Sequence, residues 1–134
     1  MLVLLKGFNP KDIAVSIVYY QHPGVIMVNR EWLESEFKKS FDECYKIVVA
    51  KNQDYAGEGD PFRNFKSIEV NGITSVETGF LVRMQDKWSR IITLINNDGK
   101  ANVKEEKLED TINDFINYLT LLKLYRKSKR CDGK

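Results

Sequence analysis

Apolar positions recur along most of this chain at helical spacing, and they do so in three separate runs. Leu108, Ile112, Phe115, Leu119 and Leu122 follow one another at steps of four, three, four and three. That draws a single stripe on an amphipathic helix between about Lys104 and Leu124. Leu33, Phe37, Phe41, Cys44 and Val48 form a second stripe. It begins just after Asn29, whose side chain suits an N-cap, and predicts a helix to about Asn52. Phe80, Met84, Trp88, Ile91 and Ile95 form the third, capped by Thr74 or Ser75 and closed by Asn96-Asn97-Asp98-Gly99. The first 28 residues read differently. There, β-branched stretches at Ile13–Tyr20 and Val25–Val28 flank a His22-Pro23-Gly24 turn, which predicts either a hairpin or an extended leader that the rest of the fold does not need.

The expected fold class is therefore all-α, a bundle of three long helices with a short N-terminal β-hairpin or extended appendage. Several apolar faces, Leu121 and Leu124 among them, suggest a homo-oligomer that completes a four-helix-type core. The expected organisation is an N-terminal extension over 1–28, a helical domain over 29–127 and a basic flexible tail over 128–134. A chain of 134 residues suits one domain that buries its own core without disulfide or metal staples.

The polar face of the last helix changes this picture. Glu106, Asp110, Asn113, Asp114 and Asn117 lie on roughly one azimuth opposite the apolar stripe. Like charges at such spacing destabilise a helix by a few tenths of a kcal/mol each. Leu121 and Leu124 continue that azimuth, so the face runs from acidic to apolar and is expected to be covered. Carboxylates on a covered face need ion pairs, hydrogen bonds or a metal. Mg²⁺, which takes oxygen ligands and shares carboxylates with substrate phosphates, fits such a set, with Glu106, Asp110 and Asp114 as ligands.

Charge and composition exclude other classes. Twenty-one basic and nineteen acidic residues leave a net charge of +2, too near balance for a protein that coats nucleic acid. The basic cluster Lys123, Arg126, Lys127, Lys129 and Arg130 reads as a helix end complementing its dipole; nucleic acid is a less favoured partner. No apolar run approaches the roughly 20 residues of a membrane span. Cys44 and Cys131 lack the number and spacing of a disulfide framework or zinc site, and Met1–Leu5 is too short for a secretory signal. A reducing, cytoplasmic setting is expected. His22, the sole histidine, sits in the turn, which argues against histidine-based catalysis.

Two further stretches carry candidate chemistry. Lys51 to Phe62 mixes Gly57, Gly59 and Pro61 with Lys51, Asp54 and Tyr55, the composition of a binding loop or of an ordinary connector. Arg83, Asp86, Lys87 and Arg90 set two arginines and a lysine around one aspartate. This is a self-neutralising surface network or, since the guanidinium fork matches phosphate oxygens, a polyphosphate site.

In order, Lys51-Asn52-Gln53-Asp54-Tyr55, Arg83-Met84-Gln85-Asp86-Lys87-Trp88-Ser89-Arg90 and Glu106 through Asp110-Thr111, Asp114 and Asn117-Tyr118 resemble the first of the nucleotide modification associated domains, a family found largely in phages and bacteria. The resemblance covers about residues 36 to 126. It implies a role around nucleotides, including base-modified deoxynucleotides, and a phage protein acting in the host cytoplasm. More distantly, Glu106-Lys107-Leu108-Glu109-Asp110 is similar to the Glu-Glu-Leu-Gly-Asp string of the MazG-like all-α nucleoside triphosphate pyrophosphatases. Lys107 replaces the second glutamate of that string, and Asp86-Lys87-Trp88-Ser89-Arg90 retains one carboxylate of that family's Glu-x-x-Glu.

The expected function is a Mg²⁺-dependent deoxynucleoside triphosphate pyrophosphatase. Glu106, Asp110 and Asp114 would hold metal, Asp86 or Asp54 would act as base, and Lys51, Arg83, Lys87 and Arg90 would sit on phosphates. Asn117 would contact substrate, and Tyr55 or Tyr118 would stack on the base. The alternatives are a non-catalytic nucleotide- or partner-binding helical module, in which the same acids pair with these cations, and a nucleic-acid-binding accessory protein.

Overall fold

A computed structural model describes residues 28–98 and 107–131, and every regular element among them is a helix. The elements are α1 (Arg30–Ala56), α2 (Arg63–Val70), α3 (Val76–Asn96) and α4 (Leu108–Cys131). The expected hairpin and the start of the acidic helix, including Glu106, lie outside the described residues.

Two helix starts follow the capping logic. Asn29 accepts from the Trp32 N–H at 2.8 Å, and Ser75 accepts from the Thr78 N–H at 3.2 Å, so each side chain satisfies a donor the helix cannot. At its other end α1 runs further than expected. Lys51, Asp54 and Tyr55 belong to the helix, which stops where Gly57 adopts φ 58° and donates to the Gln53 carbonyl. Nothing in Asp54-Tyr55-Ala56 breaks a helix, so the glycine ends it, and the connector shrinks to 57–62. The chain also forms a short helix, α2, that the long apolar stripes did not reveal. α4 continues to Cys131, beyond residue 127.

The core gathers at the α2 end. Phe65, Val76, Phe80, Met84 and Tyr125 are buried together, with Phe62, Tyr118, Leu121 and Leu122 packed against them. Phe65 stacks on Phe80 at 4.2 Å, and Phe62 meets Tyr125 edge-on at 5.5 Å. Full burial of such side chains stabilises by about 1.5–3 kcal/mol each.

Contacts along the helices settle their directions. α3 and α4 are antiparallel, since Glu77 lies by Arg126, Phe80 by Tyr125 and Lys87 by Asp114. α1 is parallel to α4: Cys44 meets Asn113 and Asn117, and further along Val48 and Asn52 share a cleft with Leu121 and Leu124. α1 and α3 both pack on α4, and their backbones do not meet each other. They form the two walls of a groove whose floor is α4.

This layout corrects the expected stripes. Leu33, Phe37 and Phe41 are 47–62% exposed, because α4 meets α1 only from Cys44 onward and no described element lies beside the first half of α1. Trp88 and Ile95 are exposed on α3, as are Ile112 and Leu119 on α4. On α4 the buried positions are instead Thr111, Asn113, Asn117 and Tyr125. A helix lying between two others buries two flanks, and one of them is the face with the polar residues. That face is covered at Asn113 and Asn117 and partly at Asp114 and Leu121, whereas Asp110 and Leu124 on the same azimuth are exposed.

Candidate functional site

The groove is built by a polar latch between α1 and α4. The buried Cys44 thiol donates to Asn113 Oδ1 at 3.4 Å, and Asn117 Nδ2 donates to the Cys44 carbonyl at 3.0 Å. Burial, with help from Glu43, pushes the Cys44 thiol above its ordinary range, so it remains a protonated donor. These bonds set the register of α1. Lys51, two turns beyond Cys44, then reaches Asp114, which lies between the two asparagines in sequence.

Asp114 is the centre of the site. It accepts from Lys51 Nζ at 2.6 Å on one oxygen and pairs with Lys87 Nζ at 2.8 Å on the other, so one carboxylate ties together the two walls. Its side chain is 19% exposed. Burial alone would raise its pKa, but hydrogen bonds and charge from Lys51 and Lys87 outweigh that and hold the carboxyl below the usual aspartate value.

Three depressions adjoin this triad. An inner pocket of about 90 Å³ has Lys51, Asn52, Tyr55, Arg83, Asp114 and Tyr118 around an apolar base of Val48, Phe65 and Leu121. It has room for several waters. An outer cleft of about 370 Å³ has Lys51, Lys87, Arg90, Asp110, Thr111 and Asp114 on its walls. Lys51 and Asp114 line both, so their ion pair is the partition between them. A third hollow, about 390 Å³, lies between Arg83, Asp86, Lys87, Arg90 and Tyr118. Arg83 also covers the Phe65 ring at 5.5 Å, which orients its guanidinium.

Most of the sequence-predicted residues thus converge. Lys51, Tyr55, Arg83, Lys87, Arg90, Asn117 and Tyr118 border this one groove, though Asn117 is buried and bonded to Cys44. Asp86 stands on the rim of the third hollow. Asp54 is exposed on α1 and lines none of these three depressions. The expected metal ligands have separate surroundings. Asp114 is held by two lysines, Asp110 lies exposed in the outer cleft, one turn earlier, and Glu106 is outside the described residues. Among the described residues no three acidic, histidine or cysteine side chains are placed to share an ion. Four cations, Lys51, Arg83, Lys87 and Arg90, and three carboxylates, Asp86, Asp110 and Asp114, line these depressions, an excess of one positive charge.

Sequence reasoning missed Asn52 and Asn64, which also line the inner pocket. Asn52 donates to the Pro61 carbonyl at 2.7 Å and ties the connector to α1. Asn64 comes from α2, whose only signal was the three-residue spacing of Phe62, Phe65 and Ile68.

Among the described residues no helix is long and apolar enough to cross a membrane. No family model, curated protein or solved structure matches the chain.

Proposed function

We propose that the groove over α4 binds a nucleotide through its phosphates. Lys51, Lys87, Arg83 and Arg90 hold the phosphate oxygens, and Tyr118 with Tyr55 offers ring faces to the base above the Phe65 and Leu121 wall. The observation that carries this reading is the Asp114 triad. Four cations, one from α1 and three from α3, gather with Asp86, Asp110 and Asp114, and Asp114 is bonded to two of them, one from each helix. In such a setting Asp114 acts as a built-in counter-ion, and a polyphosphate, with several charges, displaces it from Lys51 and Lys87. Release of Lys51 opens the partition between the inner pocket and the outer cleft.

The competing reading is a clamp that joins the walls and binds nothing. The two differ at Asp114. Binding of each deoxynucleoside triphosphate, and of inorganic triphosphate, is measured by calorimetry at low and high salt for the wild type, Lys87→Gln and Asp114→Asn. Nucleotide binding predicts salt-sensitive affinity, a loss of about tenfold or more in Lys87→Gln, and retained or tighter binding in Asp114→Asn. A wild type that binds none of them at low salt leaves the clamp.

A hydrolytic version of the same site is supported by Asp86 and Asp110, which rim the groove near Lys87 and Arg90. Mg²⁺ would enter with the polyphosphate and find Asp110, with Glu106 as its expected companion, while Asp86 would take a proton from water. Pyrophosphate release from deoxynucleoside triphosphates in Mg²⁺, lost in Asp110→Asn and Asp86→Asn without loss of nucleotide binding, marks this version. Binding without any release marks a non-catalytic module.

A further inference from the structure

On a side of the molecule separate from the groove, α3 and α4 present two stripes next to each other, apolar but for Gln85 on α3. On α3 the positions Leu81, Gln85, Trp88, Ile92 and Ile95 recur at steps of four and three, and the same rhythm runs through Leu108, Ile112, Phe115, Leu119 and Leu122 on α4. This is the seam spacing of helices that pack along their length. The seams touch where Trp88 meets Phe115 at 6.0 Å. Leu81, Trp88, Ile92, Ile95, Ile112 and Leu119 are nevertheless 37–58% exposed, so the described residues leave much of both seams bare.

The bare surface approaches the size of half an interface. Large side chains offer about 150–250 Å² each, and six half-exposed ones leave roughly 500 Å². That lies in the upper range for an isolated patch, about 300–600 Å². It approaches the ~800 Å² each partner contributes to a standard interface once the stems of flanking lysines and arginines are added.

The charge along α4 indicates the occupant. Its first turn is acidic, with Glu109 and Asp110, whereas its second half carries Lys123, Arg126, Lys127, Lys129 and Arg130. Glu109, Lys123 and Lys127 lie on one flank of the exposed seam, at intervals of fourteen and four residues. When two copies of α4 lie antiparallel about a two-fold axis near Asn117, like flanks face each other. Glu109 then comes within reach of the second copy's Lys123 and Lys127, twice by symmetry. The seam pairs Phe115 with Leu119 and Ile112 with Leu122 across the same axis. The surface is complementary to itself, as an isologous contact requires.

We infer that the α3–α4 face is a homodimer interface in which two copies form an antiparallel four-helix bundle, leaving each groove between α1 and α3 outside the contact. The inference is independent of what the groove binds.

Sedimentation or light scattering of the full chain at micromolar concentration tests it. The wild type is expected to be a dimer, and Leu119→Arg to raise the dimer dissociation constant at least tenfold with helical circular dichroism unchanged. Because Leu119→Arg perturbs a partly packed residue, flank variants supply a second test. Glu109→Lys and the double change Lys123→Glu with Lys127→Glu each weaken self-association by placing like charges together. Mixed in equal amounts, they form a one-to-one heterodimer with both symmetric contacts restored. A monomeric wild type, whose seam would then be covered by another part of the same chain or by a different protein, overturns the inference. So does a mixture of the flank variants that fails to form the heterodimer.

Discussion

At the scale of single residues, function and packing make different demands on neighbouring positions. Asp114 holds two lysines with one carboxylate, the arrangement on which the proposed phosphate site rests, whereas nearby Asn117 holds α1. Gly79 shows the packing demand. A Cβ at this position would stand 2.8 Å from Ile68 Cδ1, closer than real contacts allow, so α2 lies this near α3 only because residue 79 has no side chain. Gly79→Ala gains about 1 kcal/mol from helix propensity. Overpacking typically costs about 1–3 kcal/mol. The clash is with the end of a side chain that can turn, so a net loss of about 1 kcal/mol is expected in denaturant unfolding. Adding Ile68→Val, which removes the clashing methyl group, should recover most of that loss. A Gly79→Ala protein as stable as the parent would show that Ile68 simply moves aside.

At the scale of elements, the register between α1 and α4 decides whether the groove exists. α1 buries only Cys44 and Ala56 among its 27 residues, so little apolar packing holds it in place. Directional bonds do this instead, through Asn113 and Asn117 on Cys44 and through Asn52 on Pro61. Truncating Asn117 to alanine removes a buried hydrogen bond and leaves a small void, which together cost about 1–3 kcal/mol. The functional consequence is larger than the stability loss. With α1 free to slide, Lys51 no longer stands opposite Asp114, so Asn117→Ala is expected to weaken triphosphate binding several-fold even at temperatures where it is fully folded. Binding unchanged in a measurably destabilised Asn117→Ala protein would separate the latch from the site.

At the scale of the complete fold, the ion triad couples stability to pH. The Asp114 carboxyl is held below its ordinary value, since the lysine contacts outweigh burial. A depressed carboxyl contributes stability that is fully present above the unfolded-state pKa, about 3.9, and is lost as pH falls through the lower folded value. The ties from Asp114 to the two lysines should therefore weaken in acid, below about pH 4, and not near neutrality. Melting temperatures of wild type and Asp114→Asn are expected to differ at pH 7 and to converge as the pH drops through that window, because asparagine does not titrate. A gap that persists unchanged at pH 2 would mean that the triad does not hold α1 and α3 to α4.

How much of this was legible beforehand follows from which forces are local. Helix existence and type are local matters, set by a 3.6-residue rhythm and by caps. Asn29 and Ser75 therefore announced the starts of α1 and α3, and the apolar runs announced three long helices and an all-helical character for the described residues. The short α2 fell below that resolution, because eight residues hold only about two turns of any pattern. Lys51, Arg83, Lys87, Arg90 and Asp114 were expected around one substrate, but the groove that gathers them was not legible. Their meeting depends on α1 and α3 lying on opposite flanks of α4, and no property of one helix specifies its neighbour. The same limit explains the stripes. Leu33, Phe37 and Phe41 have the spacing of a core face, yet burial requires a partner at the same height, and α4 begins too late to provide one. Conversely, Asn113 and Asn117 lie on a face whose passage from acidic to apolar already implied a cover, but that α1 supplies it is decided by a helix lying between two others. Chemistry along the chain is enough to specify the helices, their caps and the character of each face. Which of those faces meet emerges only in three dimensions, because contact between distant segments is a property of their shared geometry and not of either segment alone.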